Sequence, residues 1–272
     1  MKVHIHSVGA HLYRILIHPI LWLGVALEVY LLLQPIFIEL LMRMKYGGGG
    51  MEIDSVLGAL SMSTNIGGTR DLEPIVYSFI AAQTYIVERK SGYLRASVLR
   101  EGTRRYLGGC LASTCMAAAV IAVIGLMLFA LILVVCFGAT LLPTEPEIAM
   151  DLGISGNALL FGRTPWLIWG VVEISYIFAI TGHCLCALAV SAVSDNLFVV
   201  VLSPMLIYYV LANLTSPFLS PMGLDYVYLG RGMTRIDAPL QALAVTAAGY
   251  LPVILIAAVV FYLAASWRIR HE

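Results

Sequence analysis

The chain has 272 residues, of which 60% are hydrophobic and only 12% are charged. Soluble domains carry about 25% charged residues, so this composition excludes a water-soluble globular protein and predicts one membrane-embedded domain over residues 1–272. The mean hydropathy of +0.91 excludes disorder, and a net charge of +0 gives no reason to expect a nucleic-acid partner.

Residues 1–18 are predicted to form an amphipathic helix in the headgroup layer. His4, His11, Arg14 and His18 recur at spacings of seven, three and four, which places them on one side of a helix. Pro19 is positioned to bend the chain from that layer into the first span. A metal site built from the histidines is the alternative, but a polar interfacial stripe explains the same spacing without a ligand.

Six stretches are apolar and long enough to cross about 30 Å of hydrocarbon as helices. The second is the most polar, because Pro74, Gln83 and Thr84 interrupt it. The predicted fold class is therefore an all-α integral membrane protein with six transmembrane helices. The spans cover approximately residues 17–38, 72–88, 107–138, 166–192, 197–214 and 243–267.

The lysine and arginine residues predict the orientation, since these residues are enriched on the cytosolic side of membrane proteins. If both termini are cytosolic, ten of the 16 basic residues lie on that side. The inverted orientation would place the densest basic segment, 89–105, outside the cell. We therefore expect a multi-pass protein with both termini in the cytosol.

The connection between the second and third spans carries six basic residues. Within it, Leu94, Val98 and Leu99 are interpreted as one face of a short helix that Gly92 and Gly102 enclose. A basic loop that only enforces orientation explains the charge, but it does not explain the enclosing glycines. Further along, prolines and glycines among apolar residues predict short broken helices in the outer leaflet over residues 213–242.

The chain lacks the motif of an ATPase. A P-loop requires Gly-Lys followed by Ser or Thr, but none of the three lysines, Lys2, Lys45 and Lys90, follows a glycine. We therefore expect no catalytic residues and no cofactor bound by this chain. Cys184 and Cys186 lie about 200° apart on a helix, so the sequence His183-Cys184-x-Cys186 is interpreted as buried and inert, with no metal.

Two carboxyl groups lie within predicted spans. Glu28 and Glu173 are costly in hydrocarbon and must face the bundle interior or a wet cavity. Together with Tyr176 and His183 they are the candidate residues of a substrate pathway. A hydrogen-bonded carboxyl group that joins two helices is the structural alternative, and it explains Glu28 and Glu173 equally well.

The whole arrangement resembles the ABC-2 type permeases, the membrane subunits of bacterial ABC exporters. The shared features are a lead helix ending in His18-Pro19, an outer loop at 39–71, the broken connection 213–242 and a final span with Arg268 and Arg270. The most specific match is the family pattern Glu-x-x-x-Gly-x-x-Arg before a basic helix and a Tyr-Leu start to the next span. Here that pattern consists of Glu88, Gly92 and Arg95, then Arg104, Arg105, Tyr106 and Leu107.

The resemblance implies a type V exporter-like architecture, in which residues 1–18 form an elbow helix and 89–105 form a cytosolic coupling helix. ATP and Mg²⁺ would bind a separate ABC ATPase subunit that contacts the coupling helix. A second permease copy or a homologous permease would complete a pathway for a peptide or other amphiphilic compound across the cytoplasmic membrane of a bacterium. The residues implied to couple to the ATPase are Glu88, Arg89, Gly92, Tyr93, Leu94, Arg95, Val98, Leu99, Arg100, Arg104, Arg105 and Asp195.

A proton- or ion-coupled secondary transporter is the alternative function. In that case Glu28, Glu173 and His183 would carry the coupling ion within the membrane. Such transporters often contain internal repeats, and no convincing similarity relates residues 17–138 to residues 166–267.

Overall fold

The computed structural model describes residues 13, 15–46, 54–66, 72–142, 165–219, 221, 226–230, 236 and 238–271. Over these ranges the regular structure is helical, apart from one isolated bridge that pairs Ser55 with Thr140. The helices are α1 (Pro19–Tyr46), α2 (Val56–Ile66), α3 (Glu73–Lys90), α4 (Tyr93–Glu101), α5 (Thr103–Phe137), α6 (Pro165–Val193), α7 (Leu197–Leu219), α8 (Tyr226–Leu229) and α9 (Pro239–His271).

Among the described residues, five helices are long and apolar enough to cross a membrane, namely α1, α5, α6, α7 and α9. They correspond to five of the six predicted spans, so the prediction of an all-α membrane protein is confirmed. α3 forms where the second span was predicted, but it begins with Glu73 and ends in Glu88, Arg89 and Lys90. Because of these charged residues, α3 is not among the five helices that are apolar enough to cross a membrane. The sixth membrane crossing therefore stays a prediction.

Several helices continue beyond the apolar segments that predicted them. α9 begins at Pro239 and ends at His271, and α7 runs through Pro217 to Leu219. The predicted broken connection 213–242 is therefore wrong at both ends, although the short helix α8 lies within it. The backbone N–H and C=O groups of a helix pair with one another in water as well as in the membrane. A helix can therefore continue beyond its apolar segment, and the number of apolar residues underestimates its length.

α6 lies at the centre of the bundle, in contact with α3, α5, α7 and α9. Its buried residues include the small side chains of Ala187, Ala189 and Ala192, which allow the close approach that drives helix association in membranes. α3 packs against α6 and also contacts α1 and α7. This position buries Tyr77 and Tyr85 inside the bundle, while the charged residues Glu73, Arg89 and Lys90 lie in the first and last turns of the helix.

The two ends of the bundle differ in charge. At one end, here called the basic end, α3, α6 and α9 finish while α5 and α7 begin. Its described basic residues outnumber its acidic residues eight to three: Arg89, Lys90, Arg95, Arg100, Arg104, Arg105, Arg268 and Arg270 against Glu88, Glu101 and Asp195. At the opposite end, the backbone N–H of Thr140 donates to the carbonyl of Asp54 (2.7 Å), which ties the start of α2 to the end of α5.

Most of the predicted N-terminal helix lies outside the described residues, including His4, His11 and Arg14. The described part is helical at 15–17 and bends at His18, directly before α1. The backbone N–H of Ile20 donates to His18 Nδ1 (3.4 Å). His18 thereby satisfies one of the donors that the start of a helix leaves unpaired.

Candidate functional site

The short helix α4 is separated from both of its neighbours by a glycine. Gly92 precedes it with φ 73° and Gly102 follows it with φ 82°, conformations that side chains with a Cβ adopt only at a cost. The N–H of Gly102 donates to the carbonyl of Val98 (2.8 Å), and α5 starts with the next residue. The segment predicted as one coupling helix over 89–105 is therefore three pieces: the end of α3, the nine-residue α4 and the first turn of α5.

One face of α4 packs on the bundle and the other is exposed. Leu94 and Ser97 are buried, and Val98 packs against the same cluster as Leu94. The prediction that Leu99 shares this face is wrong, because 88% of Leu99 is exposed. Five residues of a helix correspond to a rotation of about 140°, which turns Leu99 away from Leu94.

α3 is joined to α5 by a side-chain hydrogen bond at the basic end. The hydroxyl of Tyr106, which is fully buried, donates to Glu88 Oε2. The sequence match treated Glu88 as part of a motif and Tyr106 as the start of a span, and the structure brings these two together. The bond holds the end of α3 against the start of α5, with α4 between them in the chain.

A three-residue ion cluster links α3 to α6, α7 and α9. Asp195, in the turn between α6 and α7, pairs with Arg89 of α3 and with Arg268 of α9 (3.0 Å to Arg268). Arg89 also donates to the carbonyl of Ser191 (3.1 Å), and Arg268 donates to the carbonyl of Val193 (3.3 Å). Both arginines therefore satisfy carbonyl groups at the end of α6, where the helix dipole favours positive charge.

The ion cluster contains one residue that the sequence did not assign to the site. Arg89 and Asp195 were both implied as coupling residues, but Arg268 was read only as part of the basic ending of the last span. Asp195 and Arg268 lie 73 residues apart, so no local spacing could have indicated the pair. The remaining implied residues with exposed side chains are Tyr93, Arg95, Leu99, Arg100, Arg104 and Arg105.

A second polar site lies inside the bundle. Glu28 of α1 is fully buried and accepts a hydrogen bond from the hydroxyl of Tyr77 of α3, which is 1% exposed. Gly125 of α5 makes room for this carboxyl group, since a Cβ at that position would lie 2.7 Å from Cγ of Glu28. The structural interpretation of Glu28, a carboxyl group that joins two helices, therefore has a specific partner, Tyr77, which the sequence reasoning did not identify.

Aromatic rings continue from Tyr77 towards the opposite end of the bundle. The ring of His183 lies 6.3 Å from that of Tyr77 and 5.6 Å from that of Tyr208. Tyr208 in turn neighbours Tyr226 (6.2 Å), whose ring stacks on Tyr250 at 5.0 Å. Burial raises the pKa of Tyr226, so its hydroxyl stays protonated and this row of rings carries no charge there at neutral pH.

A small cavity of about 20 Å³ lies beside these rings, which is room for roughly one water molecule. Its lining includes two of the predicted pathway residues, Tyr176 and His183, together with Glu73 of α3. Glu28 lies next to it through Tyr77, which also lines the cavity. Glu173 is not part of the lining.

Glu173 is half-buried on α6. Its Oε1 atom is buried without a hydrogen bond within the described part of the chain. Of the four residues predicted along a substrate pathway, Tyr176 and His183 line the cavity, Glu28 lies next to it, and Glu173 is not among the lining residues. The two cysteines after His183 also separate: Cys184 Sγ lies 3.4 Å from the carbonyl oxygen of Tyr77, while Cys186 packs in a different cluster with Phe261.

Comparisons with known proteins identify no relative. No family model matches the chain, and no curated protein or solved structure matches it significantly. The resemblance to ABC-2 type permeases therefore depends on the motifs of the chain itself.

Proposed function

We propose that this chain is the membrane-spanning permease subunit of an ATP-driven exporter, and that a separate ABC ATPase subunit binds ATP and Mg²⁺. The observation that carries the proposal is the short helix α4, held between two glycines at the basic end. The exposed face of α4 includes Tyr93, Leu99 and Arg100. An apolar side chain beside a positive charge is suited to contact a protein partner.

The contacts around α4 support its role as a lever. Leu94 anchors the helix in the bundle, and the bond from Tyr106 to Glu88 fixes the helices on either side of it. The cluster of Arg89, Asp195 and Arg268 then connects α3 to the other long helices of the same end. A displacement of α4 by an ATPase would in this way reach most of the bundle without any catalytic side chain.

The charge of the basic end supports its assignment to the cytosol, because positively charged residues accumulate on that side. With α3 as the sixth crossing, both termini lie in the cytosol as well. A second copy of the chain or a related permease completes the pathway, and the membrane is the cytoplasmic membrane of a bacterium. The proposed cargo is a peptide or another amphiphilic or hydrophobic compound.

The experiment is to purify the tagged full chain from its own host in mild detergent and to measure co-purifying ATPase activity. Leu99→Glu is expected to remove that activity while the protein remains folded, since Leu99 is 88% exposed. Met44→Glu is the matched control, because Met44 is 85% exposed and lies in the last turn of α1, at the end of the bundle opposite α4. If no ATPase co-purifies, or if both variants retain it equally, α4 is not the docking element.

Coupling is tested separately from docking. Replacement of Tyr93, Leu94 and Arg95 by alanine is expected to abolish ATP-driven transport in proteoliposomes while membrane insertion is retained. Arg270→Ala, an exposed change in the last turn of α9 and outside the implied coupling residues, serves as the control. Wild-type transport by the triple variant would reject the lever.

A second candidate function is a proton- or ion-coupled transporter, which the buried group of Glu28, Tyr77 and His183 favours. Buried ionisable residues in membrane bundles frequently mark ion pathways. Under this function, a pH gradient without ATP drives transport, and Glu28→Gln abolishes it. Under the first function, ATP is required and Glu28→Gln changes transport of cationic cargo more than transport of neutral cargo.

A further inference from the structure

An apolar groove opens on the side of the bundle between α6, α7 and α9. Its volume of about 520 Å³ lies within the range of about 300–1,000 Å³ that is usual for ligand sites. On α7 the lining extends from Val199 to Leu211, a rise of twelve residues or about 18 Å. Half of the hydrocarbon core is roughly 15 Å thick. The groove is therefore long enough to hold an apolar chain from one leaflet.

The groove opens onto the part of the surface that faces lipid. α6, α7 and α9 are three of the helices that are apolar enough to cross a membrane. Beside the groove, Leu206, Leu255 and Val259 are between 56% and 64% exposed. Exposed side chains of a membrane span contact acyl chains, because no water is present at that depth. A ligand of the groove therefore arrives through the membrane and is at least partly apolar.

The lining of the groove selects against charge. The described residues that line it include no charged side chain and are mostly aliphatic, for example Val190, Ile207, Val253 and Ala257. A charged group inside the groove would lose its hydration without gaining a partner there. The chemistry of the walls therefore favours an uncharged ligand.

Ser194 provides one hydrogen-bond donor at the basic end of the groove. It lines the groove and lies directly after α6, in the turn that leads to α7. Its hydroxyl accepts the backbone N–H of Asn196 (3.2 Å), and a hydroxyl group can donate its own proton at the same time. One polar group beside an apolar lining is the usual arrangement by which a ligand site fixes the orientation of its ligand.

We propose that the groove binds one uncharged, single-chain amphiphile from the leaflet at the basic end. Its apolar chain lies between α6, α7 and α9, and its small polar group accepts a hydrogen bond from Ser194. The inference rests on the proposed function in one respect, since it identifies this amphiphile as the cargo and places its entry within the membrane. A phospholipid has a second chain and a charged headgroup for which the described lining offers no partner, so it binds less tightly.

The test is photolabelling of the full chain in phosphatidylcholine vesicles without ATP. The probe is a monoacylglycerol that carries a diazirine in its chain, and the reference is phosphatidylcholine with the same diazirine chain. Half-maximal labelling of α7 and α9 is expected at about a fivefold lower mole fraction of the monoacylglycerol, roughly the gain from one neutral hydrogen bond. Equal labelling by the two probes would overturn the proposal.

Matched variants locate the bound probe. Val260→Trp obstructs the groove, whereas Val259→Trp places the same side chain beside it, and these valines are 44% and 56% exposed, so both variants are expected to fold. Only Val260→Trp is expected to abolish saturable labelling. Ser194→Ala is expected to raise the half-maximal mole fraction of the monoacylglycerol about fivefold and to leave labelling by phosphatidylcholine unchanged. Ser203→Ala, on α7 but outside the lining, is its control.

Three further outcomes would also overturn the proposal. Retained labelling in Val260→Trp would place the probe outside the groove. Equal labelling by a lysophosphatidylglycerol probe would show that the groove does not select against charge. A change of oligomeric state in Val260→Trp but not in Val259→Trp would show that a second copy of the chain covers the groove. Because these measurements need neither ATP nor a partner subunit, their failure is distinguishable from the absence of a co-purifying ATPase.

Discussion

The hydrogen bond between Tyr77 and Glu28 is expected to make a measurable contribution to the stability of the bundle. Both side chains are at most 1% exposed, so removal of the tyrosine hydroxyl leaves the carboxyl group with one donor fewer and little water to replace it. A buried acceptor that loses its donor costs about 1–3 kcal/mol, while hydrogen bonds between membrane helices average about 0.6 kcal/mol. Because both side chains are completely buried, we expect Tyr77→Phe to lower the free energy of unfolding by about 1–2 kcal/mol, which is more than that average.

The free energy of unfolding of wild type and variants is measured in mixed micelles of mild detergent and dodecyl sulfate, followed by circular dichroism. Tyr30→Phe is the matched control, because Tyr30 lies on the same helix as Glu28 and is 58% exposed. It is expected to change stability by less than about 0.5 kcal/mol.

A double-mutant cycle with Glu28→Gln isolates the pair from the other contacts of each side chain. The expected coupling energy is about 1 kcal/mol, as found for residues that share a hydrogen bond. Equal stability of Tyr77→Phe and Tyr30→Phe, or strictly additive effects in the cycle, would refute the assignment of this hydrogen bond as a stabilising link between α1 and α3.

Three further predictions concern other positions in the chain. Gly125→Ala is expected to destabilise the protein by about 1–3 kcal/mol because the added methyl group meets Glu28, whereas Gly108→Ala, with open space around it, is expected to be neutral or slightly stabilising in the same unfolding assay. Gly102→Ala is expected to cost at least about 1 kcal/mol, since φ is 82° there, and to increase proteolytic cleavage near α4; unchanged cleavage and stability would contradict the requirement for glycine at this position. Asp195→Asn is expected to cost only about 1 kcal/mol or less, because the side chain is 59% exposed, and high salt should diminish the difference from wild type; a salt-independent effect would count against the ion cluster.

The prediction of the short helix between two glycines shows how far local pattern reaches. Gly92 and Gly102 enclose α4 as expected from their spacing, because glycine tolerates positive φ independently of distant contacts. The exposed position of Leu99 shows the limit. An apolar residue next to a buried one in sequence has no preferred face until neighbouring helices define which side is covered.

The amino-acid composition alone determined that this protein is a helical membrane protein, because an excess of apolar side chains and a shortage of charge act on every segment irrespective of its partners. The order of apolar segments along the chain also determined where most long helices lie, since backbone hydrogen bonds within a helix are local. Only the tertiary structure decided that Arg268 pairs with Asp195, that Tyr77 donates a hydrogen bond to Glu28, and that Glu173 does not line the cavity. Those contacts depend on the rotation and register of packed helices, which arise from the fit of whole surfaces and leave no periodic trace in the chain.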